Sequence, residues 1–173
     1  MNEYLVEMCA AGLKVNWGTL LVGLQGPGAY PRLLTLGDID AFAAARMKSA
    51  PSSCQDAVDV VVSLGQGLEA TLAELMRRAQ TEDVDPSIEL RKWRAVLLKR
   101  EMSRLPARAP YALNALTEFW ERFGYPGDSP HVVQGRGNAV TPNEYYTDHN
   151  LERTLQAHRE WLERETSALR QEK

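Results

Sequence analysis

Residues 119–131 read FWERFGYPGDSPH, and this stretch decides how the chain is built. On its N-terminal side an amphipathic helix closes. Pro110 opens that helix, and Ala112, Leu116, Phe119 or Trp120, and Phe123 make its buried side. Gly124 stands where a helix ends on a left-handed residue. On the C-terminal side the periodicity stops. The segment 124–146 contains Gly124, Gly127, Gly135 and Gly137 together with Pro126, Pro130 and Pro142. A loop of this length inside a compact domain is more often functional than accidental. Val132 and Val133 are its expected anchors. A last helix is predicted over 147–171, with Leu151, Leu155, His158, Leu162 and Leu169 on one side.

Toward the N-terminus the same reading gives helix after helix. Tyr4, Leu5, Met8 and Cys9 place a helix over 3–13, and Cys9 falls on its apolar face, where a free thiol packs as a small hydrophobe. Trp17–Leu24 is short and apolar and reads as a second helix, although Gly18 and Gly23 count against it. Thr35 with Asp38 is a capping pair that opens a third, whose stripe is Leu36, Ile39, Phe42 and Ala43. Ser53 with Asp56 repeats that grammar. The valines at 58, 60, 61 and 62 fit a strand as well as a helix. Nothing else in the chain offers a strand a partner, which favours helix for 53–64. Leu68, Leu72, Leu75, Met76 and Ala79 form the cleanest amphipathic series. Asp85-Pro86 is an N-cap followed by proline at the first helical position, and Pro106 ends that helix. Its core face is Leu90, Trp93, Val96 and Leu97. The cations Arg91, Lys92, Arg94, Lys99, Arg100 and Arg104 fill the remainder, most simply as a solvated face. The expected fold is all-α: one domain over 1–173, an irregular array or bundle of about six to eight helices with a single long loop.

Composition narrows the function classes. The 173 residues are 44% hydrophobic and 25% charged, enough for a sizeable core, with a net charge of −3. Residues 1–76 hold 8 acidic and 4 basic side chains, residues 77–108 hold 5 and 9, and residues 109–173 hold 10 and 7. The interspersed acids argue against a nucleic-acid surface at Arg91, Arg94 and Arg100. Cys9 and Cys54 do not make a disulfide framework. The start MNEYLVEMCA lacks the basic region and long apolar core of a secretory signal, and no apolar run reaches the ~20 residues of a membrane span. The expectation is a cytoplasmic protein without membrane contact.

No CxxC, HExxH, P-loop or GxSxG occurs. The histidines are His131, His149 and His158, and on a helix the last two point to different faces, so no metal or cofactor is expected. Asp128 and His131 are the one acid–base candidate, without a nucleophile beside them. Gly135-Arg136-Gly137 reads as a turn.

Three landmarks together resemble an uncharacterised bacterial family, domain of unknown function 2247: Trp17-Gly18, Lys92-Trp93 with its apolar helical run, and Phe123-Gly124-Tyr125-Pro126-Gly127-Asp128. The resemblance covers most of residues 15–135, and after Asp128 the chain departs from the family's pattern with SPHVVQGRGN. Small bacterial families of this kind are similar in size to the immunity proteins of polymorphic or contact-dependent toxins. The resemblance implies a binding protein, not an enzyme, whose partner is a cognate toxin domain. The candidate partner-binding residues are Asp128, His131, Gln134, Arg136, Asn138, Tyr145 and Tyr146. A nuclease toxin with a basic cleft would instead meet Asp38, Asp40, Asp56 and Asp59. The alternative is a small enzyme with its acid–base pair in the 124–146 loop. The oligomeric state is left open by the sequence.

Overall fold

The computed structural model describes residues 2–49 and 54–172. Among the described residues there are nine helices and no strand: α1 (Glu3–Ala10), α2 (Trp17–Gln25), α3 (Leu36–Ser49), α4 (Gln55–Leu64), α5 (Leu68–Thr81), α6 (Pro86–Arg104), α7 (Ala109–Arg122), α8 (Pro142–Tyr145) and α9 (Asp148–Gln171). The fold is all-α, as the periodicity requires. The element not foreseen is α8, a single turn inside the long loop. Two compact units divide the chain, Met1–Trp93 and Arg94–Lys173, with the boundary inside α6. None of the described helices is long and apolar enough to cross a membrane.

In the first unit α2 packs on α5, and α4 packs on both α3 and α5. Leu5, Met8, Trp17, Leu20, Leu24, Ile39, Val60, Leu75 and Trp93 are its large buried residues. The valine-rich α4 is a helix. Ala57, Val60 and Ser63 are buried at a spacing of three, while Val58 and Val62 are exposed, a periodicity no strand can show. The Ser53 cap lies outside the described residues, and Cys54 before α4 makes no side-chain cap bond. The Thr35 cap is formed: Asp38 Oδ2 accepts from the Thr35 backbone N–H at 2.8 Å, and Thr35 Oγ1 accepts from the Asp38 N–H at 3.3 Å.

A buried polar network ties α2 to the start of α6. Asn16 and Thr19 cap α2 reciprocally, the Asn16 side chain accepting from Thr19 N–H at 2.9 Å and Thr19 Oγ1 accepting from Asn16 N–H at 3.1 Å. Both also reach Glu89, Asn16 Nδ2 donating to Oε1 at 3.0 Å and Thr19 Oγ1 to Oε2 at 2.5 Å. Lys92 Nζ donates to the same Oε1 at 2.7 Å and to the Lys14 carbonyl at 2.9 Å. Glu89 is 1% exposed and Lys92 3%. Next in sequence, Trp93 is fully buried and its Nε1–H donates to the Thr19 carbonyl at 2.9 Å.

This contact explains the glycines of α2. A Cβ at Gly23 would overlap the Trp93 ring and Leu34, and one at Gly18 would overlap Val84. Glycine weakens the isolated helix but lets its neighbours approach, so tertiary contact outweighs propensity here. Gly23→Ala is expected to lower stability by about 1–3 kcal/mol through overpacking, read as a shift in the urea midpoint. A gain in stability would show that Trp93 and Leu34 can move aside.

Three expectations about surfaces are corrected. Cys9 is exposed, because α1 buries Leu5 and Met8 and the thiol lies past the edge of that stripe. Met76 is likewise at the margin of α5, whose buried line is Thr71, Leu75 and Ala79. The basic face of α6 is not solvated at its centre: Lys92 through Leu98 are all buried, including Lys92 and Arg94. A helix covered all round must pair its charges internally. Of the four candidate acids of the first unit, Asp40 is exposed and Asp38, Asp56 and Asp59 are similarly committed. Asp38 caps α3, and Asp56 accepts from Trp17 Nε1 at 2.9 Å and faces Arg46 at 2.6 Å. Asp59 is paired with Arg77 and Arg78. Engaged in this way, Asp38, Asp56 and Asp59 are poor ligands for a basic cleft.

The core of the second unit includes Ala109, Ala112, Leu113, Tyr145 and Leu151, with Leu105, Val140, Tyr146 and Leu155 packed against it. Leu116, Phe119, Trp120, Trp161 and Leu169 are buried as well.

Candidate functional site

The loop 124–146 leaves α7 through a tight reversal. Gly124 N–H donates to the Glu121 carbonyl at 2.8 Å and Tyr125 N–H to the Trp120 carbonyl at 3.0 Å, with Gly124 at φ 70° and Tyr125 at φ 53°. This is the helix-ending motif expected at Gly124. A left-handed tyrosine is uncommon and is held here by its N–H bond to the Trp120 carbonyl.

Asp128 follows within the turn. Its Oδ2 accepts from Arg94 Nη2 at 2.7 Å and from Trp161 Nε1 at 3.3 Å. Arg94 itself is 7% exposed. Its guanidinium lies over the Trp161 ring (5.0 Å to the centroid) and the Trp120 ring (5.7 Å), with Glu165 at 3.5 Å. The cation so held fixes the GYPGDSP turn to α9 and α6.

His131 is the second fixed point. It is 8% exposed, and its Nε2 lies 2.8 Å from Thr117 Oγ1 and 3.4 Å from the Tyr145 hydroxyl. Thr117 spends its hydrogen on the Leu113 carbonyl at 3.0 Å, and Tyr145 spends its own on the Val132 carbonyl at 2.9 Å. Neither hydroxyl has a hydrogen left, so Nε2 must be the donor. Nδ1 is then a bare acceptor, and it is buried without a hydrogen-bond partner. Edge-on to this ring, 5.5 Å away, stands His158. His158 accepts at Nε2 from Trp120 Nε1–H at 2.8 Å, and its Nδ1–H donates to the Thr154 carbonyl at 2.7 Å. That assignment leaves the ring neutral, with both nitrogens satisfied.

Both histidines are driven toward the neutral form. Burial pushes His131 down to about 3, with the neighbouring His158 adding to it, and burial lowers His158. A depressed folded pKa gives stability that is whole above the unfolded value of 6.5 and is lost as pH falls, because the unfolded chain takes up the proton first. For His131 the window runs from 6.5 down to about 3. The expected slope is about 1.4 kcal/mol per pH unit for this group. His131→Asn should flatten it, measured by urea unfolding across the acid range; an unchanged slope would show that His131 does not carry the effect.

The rest of the loop is built by one asparagine. Asn138 Nδ2 donates to the Val133 carbonyl at 2.8 Å and the Arg136 carbonyl at 3.1 Å, while its Oδ1 accepts from Gly135 N–H at 3.3 Å and Val140 N–H at 3.2 Å. Gln134 Nε2 donates to the Val140 carbonyl at 3.1 Å. Thr141 and Glu144 cap α8 reciprocally, and Asn150 Nδ2 donates to the Tyr145 carbonyl at 2.8 Å. Tyr146 donates to Asn114 Oδ1 at 3.1 Å and meets Tyr145 edge-on at 5.0 Å. An open groove of about 470 Å³ remains, lined by Tyr125, Pro126, His131, Val132, Arg136 and Asn138 among others.

The seven sequence candidates therefore part company. His131 and Tyr145 are buried loop anchors whose polar atoms hold Thr117 and Val132. Gln134, Asn138 and Tyr146 hydrogen-bond within the unit, and Asp128 is half-exposed but taken by Arg94. Arg136 is exposed in the turn Gly135–Gly137, as expected of that triplet. Val132, assigned as an anchor, is 57% exposed, and Val133 is half-buried. Asp128 and His131 share no hydrogen bond. No group of three or more His, Cys, Asp or Glu among the described residues could hold a metal ion. Missed from the sequence were Arg94, Thr117 and Trp161. Trp161 lies three residues after His158 on one helix stripe, and Arg94 lies four before the buried Leu98; both spacings were signals.

No curated protein and no solved structure matches the chain. The family model does, over residues 6–166, farther at both ends than the 15–135 of the resemblance, and its match takes in the whole loop. The chain belongs to DUF2247, described as an uncharacterized protein conserved in bacteria.

Proposed function

We propose that this protein is a cytoplasmic immunity protein that binds and neutralises a cognate bacterial toxin domain, with the 124–146 loop as its recognition element. One observation carries the reading. The loop is braced by hydrogen bonds from its own side chains, Asn138, His131, Tyr145 and Asp128. What they leave outward is an exposed cation, Arg136, and an exposed valine, Val132. A preorganised loop loses little conformational entropy on binding, and arginine is among the few residue types that supply most interface affinity. The acids at 38, 56 and 59 are engaged within the first unit, so the loop suits the role better than they do.

The test uses the full chain as bait against the polypeptide encoded immediately upstream, with affinity read by calorimetry. Nanomolar binding that abolishes that polypeptide's toxicity supports the reading. Absence of both binding and protection overturns it. The unpartnered Nδ1 of His131, beside the groove, favours a second reading: a small enzyme with His131 as base. It requires turnover that His131→Asn removes while the fold persists.

A further inference from the structure

We infer that the groove beside Arg136 receives an acidic side chain of a protein partner, with the Arg136 guanidinium as carboxylate clamp, Tyr125 as its platform and Val132 as the adjoining apolar contact. This rests on the binding reading above and names the chemistry of its partner.

Charge complementarity carries the argument. Within 124–146 the charged residues are Asp128, Arg136 and Glu144. Asp128 is paired with Arg94, and the Glu144 carboxylate accepts from the Thr141 N–H and hydroxyl at 2.9 and 2.8 Å. Arg136 forms no ion pair among the described residues. Its guanidinium carbon sits 4.2 Å from the Tyr125 ring centroid. Stacking on a ring face orients the planar group without neutralising it and leaves the N–H fork along its edge open. A guanidinium fork matches a carboxylate in a bidentate manner, which a point charge does not.

The platform is built for this. Tyr125 has φ 53°, and its turn is tied down by Asp128 on Arg94. Arg136 sits between Gly135 and Gly137, both at positive φ, and its carbonyl is held by Asn138. The two halves of the clamp come from the start and the middle of the loop and line one groove. That groove is also lined by His131 and by Val132, which is 57% exposed. The groove is thus part apolar, with one uncompensated cation. A peptide segment carrying a carboxylate beside aliphatic residues supplies the anion and the apolar contact. A polyanion would need further exposed cations, and the loop has none.

The probe is an acetylated, amidated pentapeptide Gly-Leu-Glu-Leu-Gly, titrated into the full-length protein and followed by amide and arginine Nε–H shifts. Its Gln counterpart and inorganic phosphate are run alongside. Saturable shifts at Tyr125, Val132 and Arg136 with the Glu peptide only are expected. Arg136→Gln should weaken them about tenfold or more, and Arg136→Lys should recover them only in part. Arg136 contributes no side-chain hydrogen bond to the loop, so these variants keep the fold, checked by unchanged shifts elsewhere. No shift, equal shifts with the Gln peptide, or equal shifts with phosphate would each overturn the inference. The bait experiment separates the two levels. If the upstream polypeptide binds wild type and Arg136→Gln equally, the groove inference falls and the immunity reading stands. If the polypeptide does not bind but the Glu peptide does, the immunity reading falls and the acid-binding groove stands.

Discussion

Lys92→Met is expected to cost about 3–5 kcal/mol of folding stability, the largest single loss in the first unit. The substitution keeps most of the aliphatic stem and removes one charge. It leaves Glu89, 1% exposed, with a carboxylate whose remaining donors are Asn16 and Thr19. Attraction between two buried charges offsets their desolvation only while both are present. The Lys14 carbonyl also loses its donor from Lys92. The double variant Glu89→Gln/Lys92→Met removes both charges and should be less damaging than Lys92→Met alone. Urea unfolding of wild type, both single variants and the double variant reads the coupling. A loss under about 1 kcal/mol for Lys92→Met, or strict additivity in the double, would show that the pair is not the lock described.

Trp120→Ala is expected to cost about 3–5 kcal/mol in the second unit. The ring is fully buried and meets Phe119 at 5.2 Å and Trp161 at 5.3 Å, both nearly perpendicular. Its removal opens a cavity beneath Arg94, whose guanidinium lies over it, and takes the donor from His158 Nε2. Trp120→Phe separates these effects. It retains much of the packing and loses the N–H, for a cost of about 1–3 kcal/mol. Because Arg94 holds Asp128, the alanine variant should also loosen the 125–130 turn, seen as faster amide exchange there. A change under about 1 kcal/mol would remove Trp120 from the core.

Much of the architecture follows from local chemistry. Thr35 with Asp38, Asp85 with Pro86, and Gly124 after Phe123 act within one or two turns of backbone, and each marks an element boundary within a residue or so. The loop 124–146 was equally legible, because glycine and proline exclude regular helix wherever they cluster. Local pattern also placed Trp93 and Trp120 inside.

Long-range pairing lies beyond local pattern. Lys92 and Arg94 carry the charge of solvated residues, yet Glu89 with Asn16 and Thr19, and Asp128 with Trp120 and Trp161, make them interior. Gly23 reads as a helix weakness until Trp93 lies against it. His131 and Tyr145 read as contact residues until Thr117 and the Val132 carbonyl claim them. Composition and spacing set which segments coil, since helix hydrogen bonds close within four residues. They could not say which polar groups face one another, because a partner tens of residues away supplies the field that makes a buried charge tolerable. In the candidate site that distinction leaves Arg136, which the sequence marked only as one candidate among seven, as the unpaired cation on a loop whose other charged side chains, Asp128 and Glu144, are already engaged.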